Sequence, residues 1–554
     1  MNKAGQFISV FCANLAWFLS CLPRLLLFIL ASFSIKRQQE KILRGIMKPN
    51  ANSAYGMKYG FGSIRSSNDI RQIPLSEYEE YSPFIEQLRN GGSSCLTVEP
   101  IHLLQPTSGS VSATKLIPYT QSLKKQFAAA IDPWIGFTYL HYPRIFGGRH
   151  YWSISPSTHH HMAGLQKIPV GFAEDAEYLG VVQRQMAKTL FAVPAEISRV
   201  SDPEAFQYLT LLFLIGEKHL RLISVWHPSF LAILVDAMAG QFPDFIRDIG
   251  SGVINQELKL ASPLRQIFES QLQPDPVRAA ELACLDCGAP GFPMKVWPEL
   301  HLISCWTEGL SDLWVSKLRR WFPLAFIQGK GLVATEGIVS IPIDSSRKAC
   351  AVGSHFYEFV DSQSGGIKRV WELENGHEYS VVLTTGGGLY RYRLHDLVQV
   401  TGHYHQVPCF EFIAKDNLVS DLVGEKLNSR HVEESIRRVE EICHVCFEFA
   451  LLAPGNSKDY PRYDLYVQPD SNGFVDFPAV AVRMEEELKR NYHYHHARQL
   501  GQLQPLKVFH ISGQADVLYR RHMIARGMKP GDIKIYGLSL DSSWASIFNG
   551  EYVT

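Results

Sequence analysis

From residue 7 to 33 the chain is almost continuously apolar (FISVFCANLAWFLSCLPRLLLFILASF), interrupted by Asn14, Pro23 and Arg24. That stretch approaches the roughly 20 residues a bilayer span needs. Burying Arg24 at a bilayer centre would cost about 3 kcal/mol or more, however. No small-residue cleavage site follows. The pattern predicts an apolar helix pair packed on the main domain, with residues 7–33 in peripheral contact with a membrane surface; a true membrane anchor is the alternative on hydropathy alone. A polar helical stretch follows over 38–43, and KPNANSAYGMKYGFGSI ends it with Pro, Asn and Gly.

Beyond this, the period of the pattern changes along the chain. LTVEPIHLLQP reads as a strand leading into a polar loop, and TQSLKKQFAAAIDPWIGFTYL carries apolar residues at helical spacing. DAEYLGVVQRQMAKTLF, PEAFQYLTLLFLIGEKHLRLISVW, ASPLRQIFESQLQ and PVRAAELACLDCG continue the helical character to Gly288. Strand-like runs then dominate: ELHLISCW, LAFIQGKGLVAT, GIVSIPI, FYEFV, YSVVLTT, LVQVTG and FEFI. Helices followed by many strands predict an α/β architecture with a mixed sheet. Past Lys415 a polar turn precedes a helix that begins near Asn428, and the strands YDLYVQP and PLKVFHI flank the helix AVAVRMEEELKRNYHYHH. We therefore expect a large domain over 1–416, opening with an apolar segment at 1–35, and a small α+β domain over 417–554. The linker is expected between Ala414 and Leu422.

Composition narrows the function classes. Apolar residues make up 46% and charged residues 19%, as in an ordinary globular protein. Lys+Arg and Asp+Glu both number 54, so no net field draws in nucleic acid. The 10 cysteines are scattered, as expected in a reducing cytosol. The pairs Cys284/Cys287 and Cys443/Cys446 lie too far apart in sequence, and apparently in different domains, to argue for one zinc site. No G-x-S-x-G elbow supports an esterase.

Three stretches carry candidate chemistry. Thr107-Ser108-Gly109-Ser110-Val111-Ser112, with Lys115 beyond it, stands between a strand and a helix. Successive N–H groups of such a turn suit an anion, although an ordinary polar hairpin has the same composition and the GKS/GKT ending of a Walker loop is missing. Thr335-Glu336-Gly337 follows a strand, where a carboxylate suits a ligand or Mg²⁺, or is simply a solvated turn. TTGGGLYRYRLHDLVQVTG combines three glycines with Tyr390, Arg391, Tyr392 and Arg393 on alternating faces of a strand. One face would stack a base and the other pair a phosphate, with Asp396 placed to accept ribose hydroxyls. Half-exposed tyrosines beside a β-bulge are the plainer alternative.

In this order the three stretches resemble the motifs of the adenylate-forming superfamily, which includes acyl-CoA synthetases and luciferase. Within it they are most similar to the Gretchen Hagen family of auxin-responsive acyl-acid amido synthetases. GLYRYRLHDLVQVTG carries the most specific likeness; TSGSVSATK and VATEG fit the first two motifs more loosely, and FYEFV, GHEYSVVLTT and SDLVGEKLN also fit. The resemblance implies a large N-terminal adenylate-forming domain and a small mobile α+β C-terminal domain. It also implies ATP and Mg²⁺, and carboxylic-acid and amino-acid substrates.

Residue by residue, it implies that Ser108, Gly109 and Ser110 wrap the ATP phosphates with Lys115 nearby. Thr335 and Glu336 would sit by the adenylate and its Mg²⁺, Tyr392 would shape the nucleotide pocket, and Asp396 would hold the ribose. Lys426 would contact the nucleotide from the domain hinge. Lys534 in PGDIK, rather than Lys529, would reach into the site when the small domain turns. Trp226, His227 and Phe230 would line the acyl pocket, suiting an aromatic or alicyclic acid, or else are core. Two departures stand out: Ala113-Thr114 replace the second glycine before the loop lysine, and His395 replaces a small residue before Asp396. The implied activity is an ATP-dependent acid–amino-acid ligase. An acyl-CoA ligase and an inactive nucleotide-binding interaction protein at a membrane are the alternatives.

Overall fold

The computed structural model describes residues 3–92, 94–107, 115–153, 168, 181–308, 311–416, 418–455, 461–470, 475–526, 528 and 533–553. The apolar N-terminus is one continuous helix, α1 (Lys3–Ala31), with Pro23 inside it, rather than the expected helix pair. Contacts on the inward side explain why it holds together. Val10, Ala13, Trp17, Cys21, Leu25, Phe28 and Ala31 recur at helical spacing and are buried. The Asn14 amide donates to the carbonyls of Phe146 and Gly148, both at 3.1 Å, and its oxygen accepts from the Tyr139 hydroxyl at 2.7 Å. Arg24 pairs with Asp132 at 2.5 Å. The outward side is apolar and exposed. α2 (Ile35–Met47) follows.

The short hairpin of β1 (Leu103–Pro106) and β2 (Leu116–Tyr119) flanks the Ser-rich stretch and leads into the helix Gln121–His141. Thr120 caps that helix by accepting from the Leu123 N–H. A parallel sheet comes next, in order β3 (Arg149–Trp152), β4 (Leu220–Ser224), β5 (Leu302–Cys305) and β6 (Phe326–Gly329). β4 corrects the sequence reading, which ran one helix through to residue 226. The helix Pro203–Gly216 stops at Gly216, and Leu220–Ser224 then pairs with two neighbours. Its apolar residues are buried on both faces, as in any central parallel strand, and such a run cannot be told from a buried helix by periodicity.

The largest sheet has seven antiparallel strands, in order β10 (Ile367–Arg369), β9 (Phe356–Asp361), β11 (Glu378–Thr384), β12 (Tyr392–Tyr404), β13 (Val407–Lys415), β8 (Lys348–Cys350) and β7 (Ser340–Pro342). Parallel and antiparallel pairing are thus kept in separate sheets of the large region. The C-terminal part holds the short pair β14 (Val419–Ser420) and β15 (Leu427–Asn428). Its four-stranded sheet runs β16 (Phe447–Pro454), β17 (Tyr463–Pro469), β18 (Lys507–Ile511) and β19 (Gly550–Tyr552). Asn428 caps the helix Ser429–Cys443, as the sequence pattern predicts, and one hydrophobic cluster covers each face of this sheet.

Candidate active site

The cleft lies between the antiparallel sheet, the carboxyl ends of the parallel sheet and the C-terminal part. On the antiparallel side, Asp396 on β12 is buried and faces Lys415 on β13, at 2.5 Å. The Lys415 ammonium also donates to the Leu394 carbonyl at 3.2 Å. Although burial opposes its charge, Asp396 and its acidic neighbours hold its pKa above the ordinary lysine value. Glu336, in the tight turn of Ala334–Gly337, is buried, and burial raises its carboxyl pKa while Lys415 and Lys115 oppose that rise. A Cβ at Gly337 would lie 3.0 Å from the buried His355 ring, so a larger residue there would have to push that ring aside. Tyr119 fixes the turn by donating to the Thr335 carbonyl at 2.8 Å. Lys115 donates to the Tyr392 hydroxyl at 3.4 Å, and its ammonium lies 5.5 Å from the Tyr78 ring centroid. The structure thus brings Lys115, Thr335, Glu336, Tyr392 and Asp396 together. Ser108, Gly109, Ser110 and the Ala113-Thr114 departure lie outside the described residues, as does Lys529.

Two sequence expectations about the third motif change. Tyr390 and Arg391 do not belong to the strand that presents Tyr392; both are buried beneath it. Arg391 sits at φ 54° and pairs with Glu358 at 2.8 Å, and Glu358 also meets Arg369 at 2.9 Å. Arg391 is therefore spent on the core and cannot pair a phosphate. The three glycines approach the protein rather than a ligand. A Cβ at Gly387 would lie 2.7 Å from both Leu123 and the Pro118 carbonyl, so the loop packs on the start of the helix Gln121–His141. His395, the second departure, bridges two carboxylates. Its two ring nitrogens meet Asp416 and Glu77, each at 2.6 Å.

At the parallel sheet, Trp306 and Lys330 directly follow β5 and β6, and Trp226 lies two residues beyond β4. His227 is buried, and burial with Arg520 and Lys534 nearby depresses its pKa. Its ring nitrogens meet the Ser229 hydroxyl at 2.5 Å and the Ser311 hydroxyl at 3.1 Å. Phe230, partly buried, packs against the hydrophobic cluster that holds Val225 and Leu231.

The C-terminal part reaches both sides of the cleft. Lys534 places its ammonium 4.3 Å from the Trp306 ring centroid. Tyr536 feels the charges of Lys415 and Asp396. Arg520, held by Asp516 at 3.0 Å, donates to the Ser229 hydroxyl, and Arg430 pairs with Glu378 on β11. Lys426 does not join the cluster. Its turn is pinned by the buried Glu425, which accepts from the N–H groups of Leu422 and Val423, and this leaves Lys426 exposed at φ 45°.

Lys415 is a member of this cluster that the sequence reading missed, and counting would have found it. The hairpin turns at His405-Gln406, so counting outward sets Asp396 opposite Lys415, and two intervening register shifts cancel. Lys330 offered no comparable signal.

Comparison with known proteins follows this geometry. The chain matches the GH3 family N-terminal domain over residues 28–325, the GH3 family central domain over 349–415 and the GH3 family C-terminal domain over 430–543. It is 22% identical over 495 residues to the indole-3-acetic acid-amido synthetase GH3.2 of Arabidopsis thaliana, covering 82% of this chain and 89% of that protein. It is also 22% identical over 557 residues to the probable indole-3-acetic acid-amido synthetase GH3.12 of Oryza sativa subsp. japonica, covering 90% of each. Among solved structures, the AtGH3.15 acyl acid amido synthetase in complex with 2,4-DB superposes with a TM-score of 0.82 at 17% identity, covering 96% of this chain and 95% of that one. A 2-hydroxyisobutyryl-CoA ligase in its postadenylation state gives a TM-score of 0.53 at 10% identity, covering 92% and 89%. The structural likenesses establish the adenylate-forming fold.

Proposed function

From the premise that this chain belongs to the GH3 family, we propose that it is an ATP-dependent acyl-acid amido synthetase. The observation that carries the reading is that the C-terminal part meets both sides of the cleft: Tyr536 feels the charges of the paired Asp396 and Lys415, and Lys534 stands over Trp306. In this reading a carboxylate oxygen of the acid attacks the α-phosphate of ATP and pyrophosphate leaves. An amino-acid nitrogen then attacks the acyl carbonyl and AMP leaves. Asp396, oriented by Lys415, holds the ribose hydroxyls; Tyr392 walls the base; Lys115 and the residues at 108–110 take the phosphates. Lys534 neutralises charge that develops during adenylation.

The residues present fit a Mg²⁺ ion. Glu336 is a buried carboxylate with no ion-pair partner among the described residues, and a hard oxygen donor suits this ion. Bound there, Mg²⁺ would offset phosphate charge. Closure of the C-terminal part over the cleft excludes water, and the boundary between the two moving parts lies near residue 416.

The test is acid-dependent exchange of pyrophosphate into ATP with a panel of carboxylic acids, in wild type and Asp396→Ala. Exchange that is lost in the variant supports the reading, and supplying amino acids or CoA then names the acceptor. A folded protein that exchanges with no acid overturns it.

The reading has a second part, peripheral contact with a membrane. The outward side of α1 exposes Phe7, Ile8, Phe11, Leu15, Leu19, Leu26, Leu27 and Leu30 along one stripe, with Leu27 and Leu30 about two-thirds exposed. By length and composition α1 is the one continuous helix among the described residues able to cross a bilayer. Crossing would strip Asn14, Trp17 and the Arg24–Asp132 pair from the fold, so the helix lies in the plane of the surface. Exposed Lys36, Arg37, Lys41 and Arg44 on α2 add the charge that favours anionic lipid. Flotation with vesicles of neutral and anionic composition should show binding that Leu26→Glu plus Leu30→Glu removes. Self-association of the free protein, lost in the same variant, would reassign the face to a second copy.

A further inference from the structure

In the parallel sheet, Ser224 pairs with Ser304 and Ser304 with Gln328, so these three form one row across β4, β5 and β6. Side chains two residues further along each strand share that face. The next row is therefore Trp226, Trp306 and Lys330, and the ladder continues through it: the Trp306 N–H donates to the Trp226 carbonyl and the Lys330 N–H to the Cys305 carbonyl. The lower row lines a narrow, water-sized void together with Trp134 and Trp152.

Lys330 is 3% exposed. Its ammonium lies 4.3 Å from the Trp226 ring centroid and 5.5 Å from that of Trp134, so two indoles wall it. Among the described residues no carboxylate pairs with it. The one titratable group whose charge it feels is the Cys305 thiol. A buried cation without a counter-charge is costly unless a ligand brings the anion.

We propose that Lys330 anchors the carboxylate of the acid substrate beside the Trp226 indole. This rests on the ligase reading, because it assigns the acid to the upper row beside Lys534. Ribose and phosphates are assigned to the other sheet, where Asp396 and Lys415 already neutralise one another. The ligase reading sets the reacting acid on the side of the indoles, where its carboxylate supplies the anion that Lys330 lacks.

The other titratable groups facing this slot allow a clean reading. The Cys305 thiol on β5 is pushed up to about 12 by burial, so it stays neutral. His227 is neutral for the same reason, and Lys534 stands over Trp306. Burial lowers the Lys330 ammonium to about 7. At pH 8 the empty slot is then mostly neutral, and binding a carboxylate draws a proton onto Lys330.

The experiment is calorimetric titration at pH 8, in two buffers of different ionisation enthalpy, with benzoate, phenylacetate, indole-3-acetate and cyclohexanecarboxylate. We expect uptake approaching about one proton per acid bound in wild type. In Lys330→Met the uptake is lost and affinity falls about 30-fold or more, as for loss of a charged hydrogen bond. Pyrophosphate exchange should then show a matching rise in KM for the acid and little change for ATP. In wild type, kcat/KM for the acid should fall above pH 7, a slope absent in the variant. If Lys330→Met folds poorly, Lys330→Gln and the wild-type pH slope carry the test. Acid binding without proton uptake, no acid bound, or an unchanged KM in the variant overturns the proposal. Proton-linked binding without pyrophosphate exchange would instead keep Lys330 as the anchor and sink the ligase reading.

Discussion

The two sheets that face the cleft treat buried charge in opposite ways. On the antiparallel sheet two buried carboxylates have cationic partners: Asp396 has Lys415, and Glu358 has both Arg369 and Arg391. At the carboxyl ends of the parallel sheet, Lys330 is buried between indoles without a carboxylate partner among the described residues. The paired side is rigid before any ligand arrives, which suits a nucleotide common to every turnover. The unpaired side is completed only by what binds it, which suits the discrimination of one acid from another.

The largest effect expected from this difference is structural. Glu358→Ala strands two buried guanidinium groups, and breaking a buried pair costs about 3–5 kcal/mol. Urea unfolding monitored by circular dichroism should show that loss, and a change below about 1 kcal/mol would mean that the network is not what holds β9 to β10 and the third motif. Lys415→Met should cost about 3 kcal/mol by the same reasoning. It should also cut pyrophosphate exchange about 100-fold or more, because Asp396 loses the partner that orients it. Normal exchange in a folded Lys415→Met protein would remove Lys415 from the site.

Lys330→Met should do the reverse to stability while still losing acid binding. The native ammonium titrates at about 7 against 10.5 unfolded. Between pH 7 and 10.5 the unfolded chain therefore binds the extra proton, and wild-type stability rises with pH across that window. Below pH 7 both states are protonated and the full cost of burial is present. The variant should accordingly be more stable than wild type near pH 6–7, by on the order of 2 kcal/mol, with the gap closing toward pH 10. A variant less stable than wild type at pH 6.5 would show that the indoles alone satisfy this cation.

Legibility in the sequence followed the same division. The third motif pointed to Asp396 and Tyr392 through a short local pattern, and the structure sets them beside Lys415 and Lys115. The motif misled about Tyr390 and Arg391, because alternation along a presumed strand cannot foresee the φ 54° at Arg391 that turns its side chain into the core. The helix starts at Thr120 and Asn428 were readable from cap residues and spacing. β4 was hidden, since Leu220–Ser224 is buried on both faces and merges with the helical run before it. Lys330 was invisible for a different reason. Its meaning depends on which strands are neighbours and in what register, and the sequence of one strand does not contain that.

His395 offers the smallest and most local test, since it departs from the family pattern on the paired side. Its ring bridges Glu77, at the start of the helix Tyr78–Arg89, to Asp416, where the chain leaves β13. Hydrogen bonds and charge from both carboxylates raise its pKa against the opposing effect of burial. A raised native pKa stabilises the fold fully below the unfolded value of 6.5, and that contribution is lost as pH rises through the native value. His395→Gln should therefore cost about 1 kcal/mol at pH 6, the scale of a charge-assisted hydrogen bond partly open to solvent, and progressively less at higher pH. Unfolding curves at pH 6 and 9 decide it. A penalty equal at both would mean that the imidazole acts through shape alone, and the paired side would then extend no further than Asp396 and Lys415.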